Sequence, residues 1–207
     1  QFLDLTFYKG CVMRLGEVAE IRTGLVLSRK KAEAEFEATA VYKLFSLNNI
    51  SEDGTIVNDS FDEFVSNNEL DSHYFTEEGD VLIRLSHPYT AVYIDKEHCG
   101  LLVPSYFAII KANSSKVLPQ YLAWYLNSAN VKKQLGKSQS GSRIPSTNQK
   151  ALKNISILQP HIAKQKALIE LNQLHQKEKA LYKRLLEEKE LYFQGIAQQL
   201  LGGTSNE

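Results

Sequence analysis

The sequence has few cysteines and no long apolar run. Cys11 and Cys99 are its two cysteines, and it has no run of about twenty consecutive apolar residues. Disulfide-stapled scaffolds carry many more cysteines, and a membrane-spanning helix needs such a run, so both classes are excluded. We therefore predict a protein of the reducing cytoplasm in which Cys11 and Cys99 are core thiols and do not form a disulfide.

Acidic residues are missing from a long part of the chain. Lys plus Arg and Asp plus Glu number 24 each, so the formal charges balance. Residues 98–169 nevertheless contain Lys and Arg but no Asp or Glu, whereas residues 32–80 are rich in carboxylates and have Lys43 as their single base. A polar stretch without carboxylates indicates anion binding more strongly than the net charge does. It predicts that one face of the fold is basic.

The motifs of common catalytic sites are also absent. Gly136, Lys137 and Ser138 end like a phosphate-binding loop, but Val131 stands where that loop needs glycine. The histidines and cysteines lack the spacing of metal ligands. Neither a serine-nucleophile elbow nor a zinc-protease helix motif occurs. We predict a non-catalytic protein without a cofactor or a metal site.

The sequence does contain short apolar segments followed by one long helical segment. Residues 41–47, 81–85, 91–94, 101–103, 106–111 and 155–158 have the composition of strands, and turn residues separate them. A helix is predicted from Pro119, which suits a first helical turn. We predict an α+β (mixed α/β) globular domain over residues 1–158 and a coiled-coil helix over residues 159–207.

The long helix is predicted to carry one apolar stripe. Over residues 161–201, apolar side chains recur at spacings of three, four and seven among charged ones. At 1.5 Å per residue this helix would reach about 60 Å, too long to lie along a domain of this size. We expect the stripe to bind a partner helix, with a helix packed on its own domain as the alternative. The stripe consists of Leu171, Leu174, Leu181, Leu185, Tyr192, Ile196 and Leu200.

A polar, basic loop is predicted within residues 136–150. Lys and Arg bind phosphates and guanine, Asn and Gln pair with adenine, and Ser and Thr contact either. Arg143 is the single arginine of this loop and our candidate for a bidentate contact with guanine; a salt bridge to the acidic region is the alternative. A merely solvated loop is the alternative for the whole set. The predicted contacts are Lys137, Ser138, Gln139, Ser140, Ser142, Arg143, Ser146, Thr147, Asn148 and Lys150.

Several motifs, taken in order, resemble a known family. They are LGEVAEIRTG at residues 15–24, GDVLIR at 79–84, VPS at 103–105, SGS at 140–142 and LKNISILQP at 152–160. Together with the long helix they resemble the target-recognition domain of the DNA-specificity (S) subunit of type I restriction-modification enzymes. The resemblance covers almost the whole chain. It implies an α/β domain that binds one half of a split DNA site, and a conserved-region helix that pairs with another such helix and docks methyltransferase subunits.

The resemblance also implies partners and further contacts. Family members usually carry two recognition domains and two such helices, whereas this chain has one of each. It would be a half-subunit that pairs with a copy of itself on a symmetric site, or part of a longer chain. Implied partners are double-stranded DNA, a methyltransferase (M) subunit and a restriction (R) subunit, which carry out the chemistry. Lys30 and Lys31 are assigned to phosphates, and the other candidate contacts outside the loop are Arg22, Thr23, Gly24, Ser28, Arg29, Arg84, Ser86, His87 and Tyr89.

Two other functions remain open at this point. The chain could be a coiled-coil scaffold whose head binds protein through the acidic residues 32–80 and does not bind DNA. It could also be the recognition part of a single-chain restriction enzyme. Salt dependence separates the scaffold from a DNA-binding protein, because phosphate contacts weaken steeply as salt rises.

Overall fold

A computed structural model describes residues 11–32, 37–57, 60–137 and 147–202 of the chain. The chain divides into two compact units, Gln1–Lys166 and Ala167–Glu207. The strands are β1 (Cys11–Arg14), β2 (Ala19–Thr23), β3 (Ala40–Leu44), β4 (Asp62–Ser66), β5 (Asp80–Arg84), β6 (Ala91–Tyr93), β7 (Phe107–Ala112) and β8 (Ser156–Gln159). The helices are α1 (Leu15–Val18), α2 (Pro119–Leu126), α3 (Ala129–Lys137), α4 (Gln149–Lys153) and α5 (Ile162–Gly202). The predicted mixed α/β class with a long C-terminal helix is confirmed.

The first unit is built around an antiparallel sheet in the order β2-β7-β5-β6. Both β2 and β5 run antiparallel to β7, so they point in the same direction. There are two smaller antiparallel pairs: β1 and β8 come before and after the strands of this sheet in sequence, whereas β3 and β4 lie between β2 and β5. The central strands β5 and β7 are apolar on both faces, as strands covered on both sides must be.

The core lies on both faces of the central sheet. On one face, Leu82, Phe107 and Ile109 pack in a buried cluster with Phe45 and Val103. The other face is covered by α2, which contacts β5, β6 and β7, and by α4, which contacts β2. Because side chains alternate along a strand, neighbouring residues within β5 or β7 point to opposite faces of the sheet.

Side-chain amides cap both edge strands of the central sheet. Asn127 pairs with the backbone of Ala91 in β6, accepting its N–H at 2.9 Å and donating to its carbonyl at 2.7 Å. On the other edge, the Gln149 amide donates to the Ile21 carbonyl of β2. Each amide stands where a further strand would otherwise pair.

Gln165 fixes the first turn of α5 within the first unit. This side chain is fully buried. It accepts the Leu118 N–H at 2.8 Å and donates to the carbonyls of Lys116 at 2.9 Å and Pro160 at 2.8 Å. The buried amide is thus satisfied by backbone groups at the entry of α2 and before α5.

The structure differs from the sequence prediction in several elements. The strand predicted at 41–47 ends at Leu44, because Ser46 and Asn49 hydrogen-bond each other and form a tight turn at Leu47–Asn49. The segment 101–103 is not a strand but is joined by single bridges at Leu102. Strands β1, β2 and β4 were not predicted.

The prediction of core thiols is wrong. Cys11 and Cys99 are both free and exposed. Cys11 begins the mostly exposed strand β1, and Cys99 follows a tight turn at Lys96–His98. Cysteine is so often buried that composition alone favoured the core.

Candidate nucleic-acid interface

Several residues predicted to contact DNA meet at one end of the central sheet. Because β2 and β5 point in the same direction, Thr23 and Arg84 lie at the same end. The chain after the polar loop joins them, since the Thr147 N–H donates to the Leu85 carbonyl at 2.6 Å. We call this group the polar end; it consists of Thr23, Gly24, Arg84, the turn of residues 85–90, Thr147 and Asn148.

The turn of residues 85–90 has a fixed backbone. The Arg84 N–H donates to the Thr90 carbonyl at 2.9 Å, and the Tyr89 N–H to the Ser86 carbonyl at 2.8 Å. Tyr89 has φ 55° and is almost completely buried, which raises the pKa of its hydroxyl. His87 is exposed, with its ring centroid 6.0 Å from that of Tyr89. The turn therefore exposes the His87 side chain to solvent, and the buried Tyr89 ring lies beside the His87 ring.

Some predicted contact residues have structural roles at the polar end. Gly24 is buried, and a Cβ there would overlap the carbonyl of Pro104. Asn148 caps α4, because its side-chain oxygen accepts the Ala151 N–H at 2.9 Å. Thr147 is buried, and its Oγ1 has no hydrogen-bond partner within the described ranges. Gly24 and Asn148 therefore have structural roles in the backbone of the polar end, and Thr147 is buried within it.

Arg84 and Arg22 lie in contrasting surroundings. The Arg84 Nε donates to the Ser86 Oγ at 2.9 Å. Over the described part of the chain, Arg84 has no carboxylate partner. Arg22 lies 3.6 Å from the Glu20 carboxylate. Arg84 therefore keeps a positive charge at the polar end that no described carboxylate balances, whereas the charge of Arg22 is partly balanced.

The basic turn after Gly24 is anchored on β4. The Lys30 carbonyl accepts the Asn67 N–H at 2.9 Å and the Ser66 hydroxyl at 3.2 Å. As with Arg84, no described carboxylate pairs with the bases of this turn. A fixed backbone with cationic side chains that have no described carboxylate partner suits phosphate binding. The exposed residues of the turn are Ser28, Arg29 and Lys31, and Lys30 is half-buried.

Part of the predicted polar loop lies outside the described residues. Lys137 is the last residue of α3, and its side chain lies outside what the structure describes. Lys150 lies in the first turn of α4 and is exposed. Its neighbour Gln149 caps β2, so α4 begins beside the strand that ends at Thr23. The predicted contacts outside the described residues are Ser138, Gln139, Ser140, Ser142, Arg143 and Ser146.

The opposite end of the sheet carries paired charges. Lys111 is in register with Glu20 and with Asp80, and its Nζ lies 2.5 Å from the Glu77 carboxylate and 3.8 Å from that of Asp80. Burial raises the pKa of Asp80, whereas the hydrogen bond and charge of Lys111 lower the pKa of Glu77. We call Glu20, Glu77, Asp80 and Lys111 the ionic end. Lys111 belongs to the acid-free stretch of sequence, yet the fold balances its charge.

A shallow cleft lies beside the ionic end. It has a volume of about 550 Å³ and is lined by Glu17, Glu20, Lys111 and Lys153 together with α1, β2 and β7 backbone. Among the described residues, no group of three or more His, Cys, Asp or Glu is arranged to hold a metal ion. No helix in those ranges combines the length and apolar content needed to cross a membrane.

The predicted apolar stripe of α5 is exposed to solvent. Its exposed fractions run from 38% at Ile196 to 73% at Tyr192. With 3.6 residues per turn, Tyr182, Leu186 and Phe193 project beside the stripe, and they too are exposed. Sequence reasoning missed these three because it followed only spacings of three, four and seven. The stripe residues themselves are Leu171, Leu174, Leu181, Leu185, Tyr192, Ile196 and Leu200.

Comparison with known proteins gives a family and a fold. A model of the type I restriction modification DNA specificity domain matches residues 10–188. No curated protein matches the chain. Among solved structures, one from work on complex assembly and conformational transition of the type I R-M system has a TM-score of 0.70 at 19% identity, covering 97% of this chain and 52% of that chain.

Two further structures are similar in fold. The HsdS subunit from Thermoanaerobacter tengcongensis has a TM-score of 0.61 at 20% identity, covering 92% of this chain and 46% of that one. The type I restriction-modification S subunit from M. genitalium has a TM-score of 0.56 at 10% identity, covering 98% and 49%. The chain thus spans about half the length of the structures it matches.

Proposed function

The chain belongs to the type I restriction-modification DNA specificity family, and we propose from this membership that it recognises one half of a split DNA site through the polar end of its central sheet. In this proposal the chain itself is non-catalytic. It delivers methyltransferase (M) and restriction (R) subunits to the site, in the cytoplasm where the DNA is.

One observation carries the assignment of the polar end. Segments far apart in sequence converge there, and Arg84 among them has no carboxylate partner in the described ranges. An unpaired cation among hydroxyl and amide groups is what a DNA backbone and base edge require. Arg29, Lys30 and Lys31, which follow Gly24 in sequence and have no carboxylate partner among the described residues, would add phosphate contacts.

DNA binding is tested with the full chain and a labelled duplex of random sequence. We expect affinity in fluorescence anisotropy to fall linearly on logarithmic axes as salt rises, with a slope of about 0.9 per phosphate contact. Binding-site selection from a random duplex library should then return a defined half-site. A chain that binds no duplex even at low salt would be a protein scaffold instead.

The half-length of the chain raises the question of the second half-site. We propose that two copies pair through the stripe of α5 and thereby read a symmetric split site. Support comes from the exposure of large apolar side chains along α5, since soluble monomers rarely leave a contiguous apolar patch of this kind open. Because the matched structures are about twice as long, a longer native chain is the other way to supply that partner.

Pairing is tested by sedimentation of the full chain. The double variant Leu181→Asp with Leu185→Asp should sediment as a monomer, because carboxylates in an apolar seam are costly to bury. The matched control, Gln173→Asp with Gln198→Asp, adds the same charges to α5 outside the stripe and should leave the dimer intact. Monomeric wild type at micromolar concentration would reject self-pairing.

A further inference from the structure

We propose that Arg84 reads a guanine in the half-site and that Ser86 is the positioning residue that orients its guanidinium. This inference rests on the proposed function and assigns a base preference to the polar end. It concerns two residues at the end of β5, whose positions are fixed by the sheet and by the turn of residues 85–90.

The backbone of Arg84 is fixed by the sheet and by the turn of residues 85–90. Arg84 is in register with Phe107 of β7, and its N–H donates to the Thr90 carbonyl at 2.9 Å. Strand alternation places Arg84 on the same face as Leu82, which lies in the buried core cluster. The aliphatic stem of the half-buried side chain is therefore supported by packing, and its head lies at the polar end.

The Ser86 hydroxyl selects one geometry for the guanidinium. It accepts the hydrogen bond from Nε at 2.9 Å. Arginine has five N–H donors in a planar fork, so the four donors on the two terminal nitrogens stay available. Two parallel donors from those nitrogens match the O6 and N7 acceptors that guanine presents in the major groove. Arg84 is thus prepared for an end-on contact with a guanine edge.

The charge environment separates Arg84 from the other cations along the central sheet. Lys111 lies 2.5 Å from Glu77, and Arg22 lies 3.6 Å from Glu20. Arg84 has a neutral hydroxyl in the place where those residues have carboxylates. A neutral partner fixes the orientation without cancelling the charge, and a nearby carboxylate would repel DNA.

A base contact fits Arg84 better than a phosphate contact does. Phosphates are met readily by a flexible, exposed lysine such as Lys31, because a point charge tolerates many orientations. A bidentate contact gains most when the fork is held in one orientation before binding, since less conformational freedom then has to be given up. Arg84 is the cation at the polar end whose orientation is held in this way.

The experiment is binding-site selection by the full chain from a random duplex library, for wild type and variants. Wild type should select a motif with guanine at one position that Arg84→Ala no longer specifies, while the other positions persist. On single-base variants, replacing this guanine should weaken wild-type binding roughly 5- to 100-fold and Arg84→Ala binding hardly at all. Arg84→Lys should lose most of the preference as well, because lysine cannot fork.

Variants of Ser86 test the positioning role with Arg84 still in place. Ser86→Ala removes the acceptor of the Nε hydrogen bond and should lower the guanine preference several-fold, with overall affinity for random duplex unchanged. Ser86→Thr keeps a hydroxyl and should restore the preference. Thermal midpoints of all variants establish that each is folded, and the Ser86 pair remains decisive if Arg84→Ala does not fold.

The outcomes distinguish this inference from the proposed function. If wild type selects no motif, both fail. If wild type selects a motif that Arg84→Ala leaves unchanged, DNA recognition stands and the role of Arg84 is rejected. A uniform loss of affinity over all duplexes in Arg84→Ala would make the residue a phosphate contact, and equal behaviour of Ser86→Ala and Ser86→Thr would reject the positioning role.

Discussion

The two ends of the central sheet treat charge in opposite ways. At the ionic end, Lys111 is surrounded by carboxylates at 2.5 and 3.8 Å. At the polar end, Arg84 bonds a serine hydroxyl and meets no carboxylate of the described residues. Both ends belong to one sheet and share the strands β5 and β7. The difference teaches that the balanced total charge of the chain hides an end of the sheet where a cation has no carboxylate partner among the described residues, and this is the end that we propose as the DNA interface.

The largest expected effect is a loss of stability caused by a substitution at the polar end. In Gly24→Ala, the new methyl group would overlap the backbone carbonyls of Val103 and Pro104, which cannot move aside like a flexible side chain. We expect the free energy of unfolding to fall by about 3 kcal/mol, as for severe overpacking. Urea unfolding measures this change.

Gly136→Ala is the matched control for that variant. Gly136 is exposed in α3, and nothing lies within 4 Å of an added Cβ. Alanine there should leave the unfolding free energy unchanged or raise it by up to about 1 kcal/mol. Equal losses in the two variants would mean that close backbone packing at Gly24 is not what supports the polar end.

The second prediction concerns the ionic end. Asp80 is 2% exposed, accepts the Glu77 N–H at 2.9 Å and lies near Lys111. Asp80→Ala leaves that N–H without its acceptor and should cost about 1–3 kcal/mol of unfolding free energy. Asp80→Asn retains an acceptor oxygen and should cost less. Urea titrations at neutral pH give the ranking, and the reverse order would show that charge pairing matters more there than the hydrogen bond.

The pH dependence of the same pair sharpens the test. Burial raises the pKa of Asp80 above its unfolded value. Protonation in the folded state is therefore favoured, and wild type should gain stability relative to Asp80→Asn as pH falls through the raised pKa toward the ordinary value of 3.8. The difference in unfolding free energy between the two proteins is the measurement. If the unfolding free energy of wild type instead falls relative to that of Asp80→Asn on acidification, the attraction of the Asp80 carboxylate to Lys111 outweighs the effect of burial.

The smallest expected effect is on the salt dependence of duplex binding. Lysines of the basic turn, which have no described carboxylate partner, are compared with the paired Lys111. Lys30→Ala together with Lys31→Ala should lower the salt slope of duplex binding by about one for each phosphate that is no longer neutralised, equally on specific and random DNA. Lys111→Ala should leave that slope unchanged, because its charge is already balanced by Glu77. Anisotropy titrations at several salt concentrations decide the matter. A weakening confined to the specific site would make the basic turn a base-reading element.

The sequence predicted best the parts of the fold where local pattern and burial agree. Strands β5 and β7 are apolar runs, and α5 has a long helical period, so their type was evident. Strand β4 was missed because Asp62 and Glu63 conceal the alternation of Phe64 and Ser66. The run at 101–103 resembled a strand, but Leu102 bridges two different segments, Leu44 and Phe75, a tertiary arrangement that local sequence does not encode.

The candidate site was predictable in residue type but not in pairing. Glu20 and Arg22 are two residues apart, and in a strand that spacing puts them on one face, so their ion pair could have been found from sequence. The pairing of Lys111 with Glu77 spans two strands and depends on register, which the sequence does not reveal. Nor could the Ser86 hydroxyl be identified as the partner of Arg84 before the turn was known.

The amides of Asn127 and Gln149 on the sheet edges bear on how this protein can evolve. Under the proposed function, a changed DNA specificity would require new side chains in the turns at the polar end of the sheet, and such changes tend to loosen the strands beside them. With the backbone of Ala91 and the Ile21 carbonyl already bonded by side-chain amides, a loosened edge strand offers fewer free groups for another chain to join. We therefore expect these two amides to make pairing of the sheet edges with another chain less favourable while the turns acquire new sequences.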